Sequence, residues 1–130
     1  MSSRGSLAKN GHVGTNEYDI VEILQSGAEV LKGKGKNHSL PDYSHTPNRV
    51  YVKKEHDGSF REMRFYGDDH KVFLEIGYHG EASLNSDTRI KEWHYHLYDK
   101  NLTHSKASFL SKDLVSKYWK YLEDVGYDKR

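Results

Sequence analysis

The chain has 130 residues, with 20 Lys and Arg against 19 Asp and Glu, 9 His and no Cys. That length suits one domain with one modest core, and the near-zero charge balance excludes a protein that coats nucleic acid through bulk positive charge. Disulfides, thiolate metal sites and cysteine nucleophiles are excluded with the Cys, and no apolar run approaches the ~18–20 residues of a membrane span.

The charged fraction is high at 30%, but 10 Tyr, 4 Phe and 2 Trp supply apolar area that a disordered chain lacks. The core is expected to be aromatic-rich. The His titrate near neutrality, so the chain turns cationic below about pH 6.5. MSSRGSLAKNGHVG has no apolar segment after its Arg and reads as no signal peptide, which makes the expected location cytoplasmic and the expected partners non-membrane.

In chain order, residues 1–14 are predicted to be a mobile tail and 15–130 a single domain. Thr15 or Asn16 caps a predicted helix to about Leu31, with Ile20, Val21, Ile23, Leu24, Ala28, Val30 and Leu31 as its apolar stripe. Gly33 ends it, and Gly27 weakens it by up to about 1 kcal/mol against Ala. Residues 32–48 read as a loop in which Lys32, Lys34 and Lys36 alternate with Gly. The spacing is not that of a P-loop, and a solvated helix end is the simpler account. Strands follow at 49–55, 60–66, 71–78 and 90–98, separated by an Asp57-Gly58 turn, a turn at 67–70 and a loop at 79–88. Ser108 or Ser111 caps a second predicted helix to about Asp124, with Leu114, Val115, Tyr118, Leu122 and Val125 on one side and Gly126 as its stop. The expected fold is α+β, a four-stranded antiparallel β-meander with N- and C-terminal helices packed on one face. The other face is left to solvent or a ligand, unless the loops at 32–48 and 79–90 fold over it.

Strand alternation assigns Val50, Val52, Met63, Phe65, Leu74, Ile76, Trp93, Tyr95 and Leu97 to the buried face. The opposite parity carries Arg49, Tyr51, Lys53, Glu62, Arg64, Tyr66, Phe73, Glu75, His94, His96 and Tyr98. Imidazoles, carboxylates, phenols and cations interleaved on one surface make a site there the first expectation. Cleavage of RNA by its own 2′-hydroxyl needs a base, an acid and a cation for the phosphorane. Glu75, His94 and His96 are candidates for the proton transfers, and Arg64 and Lys53 for holding phosphate. Tyr51, Tyr66 and Tyr98 are candidates for stacking a base. This reading uses no cofactor. A metal reading stands beside it: His94-x-His96 puts two imidazoles on one side of a strand, and His79, Glu75 or Asp87 could complete a ligand set.

The segment from Ser39 to Gly80, followed by His94-Tyr95-His96, resembles a C-terminal domain of bacterial polymorphic toxins and phage minor capsid proteins. The resemblance rests on Leu40-Pro41, Thr46-Pro47-Asn48, Asp57-Gly58, Arg64-Phe65-Tyr66, His79-Gly80 and the His-x-His pair, and covers roughly residues 38–99. It implies membership of the barnase–EndoU–colicin–RelE-like group of metal-independent ribonucleases, with RNA as substrate and a catalytic sheet face that would include His79. A second function class is a non-enzymatic phage-type protein that inhibits a host nuclease or defence system, with the Tyr-rich face as its interface to a protein partner. A third is a His-rich structural or regulatory metal site, which metal-dependent folding would reveal.

Overall fold

The computed structural model describes residues 6–9, 12–34 and 39–127, with side chains described from Glu17 onward. Two short strands, β1 (Ser6–Lys9) and β2 (His12–Asn16), pair antiparallel as a sheet of their own. The rest of the expected tail, 1–5 and 10–11, lies outside the described residues. So do 35–38, and with them Lys36.

Seven further strands form one sheet in sequential order: β3 (Tyr18–Ile23), β4 (Glu29–Gly33), β5 (Val50–Lys54), β6 (Phe60–Tyr66), β7 (Val72–His79), β8 (Glu92–Leu97) and β9 (Ser108–Phe109). Neighbours are antiparallel except β4 and β5, which pair parallel with Glu29 opposite Tyr51 and Val30 opposite Val52. The fold is α+β, as expected, but with seven strands rather than four in the main sheet.

The predicted N-terminal helix is instead the β3–β4 hairpin. Its apolar residues fit a helical stripe, yet Ile20, Val21, Ile23 and Val30 are β-branched, which favours a pleated strand. Gly27 sits at the turn with φ +95°, a conformation that a side chain would strain. Leu24 and Ala28 close this turn through a 2.8 Å backbone hydrogen bond.

At the C-terminus the single predicted helix is two short ones, α1 (Lys112–Lys117) and α2 (Trp119–Asp124), broken at Tyr118. Ser111 is the cap, its side chain accepting from the Leu114 amide, while Ser108 belongs to β9. The helices lay Val115 and Leu122 on Val50, Val52, Met63, Phe65, Leu74 and Ile76, with Trp93 and Tyr95 at the margin. Trp93 stacks on Tyr78 and Phe60. This is the predicted core face, with one correction: Leu97, at the end of β8, is 51% exposed, because it lies outside the cluster that the helices cover. The Ser26 amide donates to Asp124 Oδ2 at 2.8 Å and so joins the β3–β4 turn to the end of α2.

The opposite face is not open. Parallel neighbours need a long crossover, and here the segment 39–49, between β4 and β5, lies across the sheet. It seats Leu40 with Tyr18, Leu31, Tyr51, Tyr66 and Val72 in a second buried cluster. Among the described residues no helix is long and apolar enough to cross a membrane.

Leu122 is fully buried between helix and sheet. Leu122→Ala should lower unfolding free energy by about 2–5 kcal/mol in urea titrations, and Ser111→Ala by about 1 kcal/mol.

Candidate metal centre

Register places the candidate residues in two rows across the sheet. One runs Tyr51–Arg64–Glu75–His96, and the other Lys53–Glu62–Gly77–His94. The sequence parity is therefore right, but the crossover changes what these residues do.

Arg64 is committed to structure. Its Nε donates to Glu75 Oε1 at 2.8 Å, and Nη1 reaches the Leu40 carbonyl at 2.9 Å and Asp42 Oδ1 at 3.1 Å. Nη2 donates to the Tyr98 hydroxyl at 3.3 Å, and that hydroxyl donates to Glu75 Oε1 at 3.2 Å. Burial alone would lower the Arg64 pKa. The Glu75 carboxylate, Tyr66 and Tyr98 together outweigh burial and keep the guanidinium charged. Arg64 and Glu75 are thus paired with each other and tied to the crossover and Tyr98 rather than presented on an open surface.

Base stacking by Tyr51 and Tyr66 does not fit either. Both rings are buried, and their hydroxyls meet the His45 amide and the Pro41 carbonyl. Burial pushes the Tyr51 phenol up to about 12 and raises those of Tyr66 and Tyr98. Lys53 lies on β5, three strands from His94. Tyr51 and Tyr66, buried in this way, are not part of an exposed Tyr-rich face.

What the fold does bring together is imidazole. Along β7, β8 and the following loop, His79 meets His94 with ring centroids 4.6 Å apart, His94 meets His96 at 5.5 Å, and His96 meets His104 at 5.0 Å. His94 is wholly buried and His96 nearly so. The His94 Nδ1 is 2.7 Å from the Glu92 carbonyl and the His96 Nδ1 2.8 Å from that of Ser105. A carbonyl only accepts, so each Nδ1 carries the proton and each Nε2 is a bare lone pair. Both Nε2 atoms face Glu81 Oε1, at 3.9 Å and 3.8 Å.

Glu81 comes from the loop at 80–91, which turns back at Gly80. A Cβ at Gly80 would lie 2.1 Å from the Thr88 carbonyl oxygen, so only glycine lets the loop close there. Within the loop, the Leu84 and Asn85 amides both donate to the Glu81 carbonyl. Neither Glu81 nor His104 is marked by strand alternation, which says nothing about loops. Of the residues named as completing a metal set, His79 lies beside His94, Glu75 is held by Arg64, and Asp87 pairs with Arg89 at 2.9 Å.

Burial, ahead of every other influence, holds the His94 pKa below the ordinary imidazole value, so the ring is neutral at pH 7. Burial, and after it the Glu75 charge, raises that of Glu62, whose carboxylate is 3.9 Å from His79 Nε2. No protein-family model matches this chain, and no curated protein or solved structure matches it. Its chemistry has to be read from these residues.

Removing one partner of the buried Arg64–Glu75 pair leaves the other uncompensated, so Arg64→Ala and Glu75→Ala should each cost about 3–5 kcal/mol in denaturant titrations. For Glu62 the folded pKa lies above the unfolded one. Ionisation therefore costs stability as pH rises past the unfolded value, and Glu62→Gln should raise Tm at pH 7 but not below about pH 4.

Proposed function

We propose that this domain binds a divalent transition-metal ion such as zinc through His94 Nε2, His96 Nε2 and Glu81. The observation that carries this reading is the convergence of two bare ring nitrogens on one carboxylate, all three donor atoms lying within 4.8 Å of one another.

A His–carboxylate ion pair explains the distances less well. A charge-assisted hydrogen bond is about 2.7–2.9 Å long, whereas these separations are 3.8 Å and 3.9 Å. Ligands bound tetrahedrally at about 2.0–2.1 Å stand roughly 3.4 Å apart, so closing on an ion takes a shift of about half an ångström. The His94 Nε2 is buried with no hydrogen-bond partner, an arrangement that costs free energy unless something electropositive sits against it. Both rings are oriented by backbone carbonyls behind them, as metal-ligating imidazoles are. Two nitrogens and one oxygen suit zinc and its first-row neighbours, not magnesium or calcium.

The second reading is metal-independent cleavage of RNA, which the resemblance also implies. It is favoured by one pair, the nearly buried His96 and the exposed His104, whose rings meet edge to face 5.0 Å apart as a potential base and acid. Arg64, its candidate phosphate-binding cation, is engaged by Glu75, Leu40 and Asp42.

Calorimetric titration of metal-free protein with zinc should show one site. His96→Ala and Glu81→Ala should each weaken it by about tenfold or more, and affinity should fall in acid as protons compete for the ligand atoms. Absence of zinc binding would overturn the metal reading. Incubation with mixed RNA, with and without EDTA, separates the two: cleavage that persists in EDTA and disappears in His96→Ala would establish the second reading.

A further inference from the structure

Two buried ring nitrogens point at the same spot without a partner. His79 Nδ1 is 2.9 Å from the Gly80 carbonyl, which places its proton there and leaves Nε2 bare, as in His94. His79 Nε2 and His94 Nε2 are both shielded from solvent and neither has a hydrogen-bond partner. A Cβ built on Gly77 would lie 3.0 Å from each of them. The space over Gly77, which any other residue would fill, is therefore a cradle lined by two converging lone pairs. Lone pairs facing one another in a site without water repel, and each unpaired acceptor carries a desolvation cost. A cation relieves both, and the Glu62 carboxylate 3.9 Å from His79 Nε2 adds negative charge on that side.

We infer that His79 is the fourth protein ligand of the metal centre, so that the ion is held by His79, His94, His96 and Glu81 above Gly77. This rests on the metal reading and sets the role of the ion. Three protein ligands leave a position for water or substrate, whereas four close a tetrahedral site and make it structural. A closed site here ties the end of β7, the middle of β8 and the loop at 80–91 together. Closure requires the His79 ring to move toward Glu81, and the missing Cβ at Gly77 spares it a contact of 3.0 Å.

Cobalt(II) is the probe, because a four-coordinate tetrahedral site absorbs visible light far more strongly than a five- or six-coordinate one. Metal-free protein titrated with cobalt should give the intense tetrahedral spectrum. His79→Ala, and His79→Gln as the variant that keeps a donor to Gly80, should give a weak spectrum and at least about tenfold lower affinity with unchanged far-UV circular dichroism. Gly77→Ala, which fills the cradle but leaves the strand, should do the same. A His79 variant that keeps the wild-type spectrum and affinity would overturn the fourth ligand and leave a three-ligand site standing. Wild-type protein that binds neither cobalt nor zinc would overturn both readings.

Discussion

Arg64 fastens the sheet to the segment that covers it. From β6 its guanidinium reaches Glu75 on β7, the Tyr98 hydroxyl beyond β8, and Leu40, Pro41 and Asp42 on the crossover. A planar group with five fixed donors can serve carbonyl, carboxylate and phenol partners at once, which an ammonium on a flexible stem cannot. The described part of the crossover, residues 39–49, contains no helix, so its carbonyls need donors from the sheet. Tyr66 supplies another, to Pro41, and Tyr18 reaches the Ser39 carbonyl at 2.7 Å.

That constraint moves the chemistry. With β4 and β5 parallel, the chain must cross the sheet between them, and the crossover buries the central part of the face that the strands share. Tyr51, Tyr66, Arg64 and Glu75 become a polar-lined second core. The groups left with unused lone pairs are displaced toward β7 and β8, where His79 stands beside His94, and His94 and His96 meet a loop carboxylate. The site therefore depends on two glycines for different reasons: Gly80 lets the loop turn back against Thr88, and Gly77 leaves space between two rings.

The electrostatics of the two regions differ in kind. Around Arg64 every charge has an opposite within hydrogen-bond distance, which makes the cluster rigid and chemically quiet. Around His94, whose own ring is kept neutral by burial, the imidazoles of His79, His94 and His96 are anchored from behind by backbone carbonyls, and Nε2 of His79 and of His94 lacks a hydrogen-bond partner in front. One sheet face thus carries both a satisfied polar network and an unsatisfied one, a few residues apart.

The four central strands, the Asp57-Gly58 turn and the division of side chains between two faces were legible in the sequence because strand alternation is local. So were the Ser111 cap and the buried set from Val50 to Ile76. The pairing of His94 with His96 was legible for the same reason. The β3–β4 hairpin was not, because Ile20, Val21, Ile23, Leu24, Val30 and Leu31 satisfy a helical stripe as well as two strands, and only docking beside β5 chooses between them. The role of Arg64 and Glu75 was not legible either, since alternation gives the face of a side chain but not what covers that face. Glu81 and His104 entered the site from loops, which carry no period. The sequence by itself determined which residues share a side of the sheet; tertiary structure decided which of them are buried, because burial depends on a crossover and a loop brought back across the sheet by contacts distant in the chain.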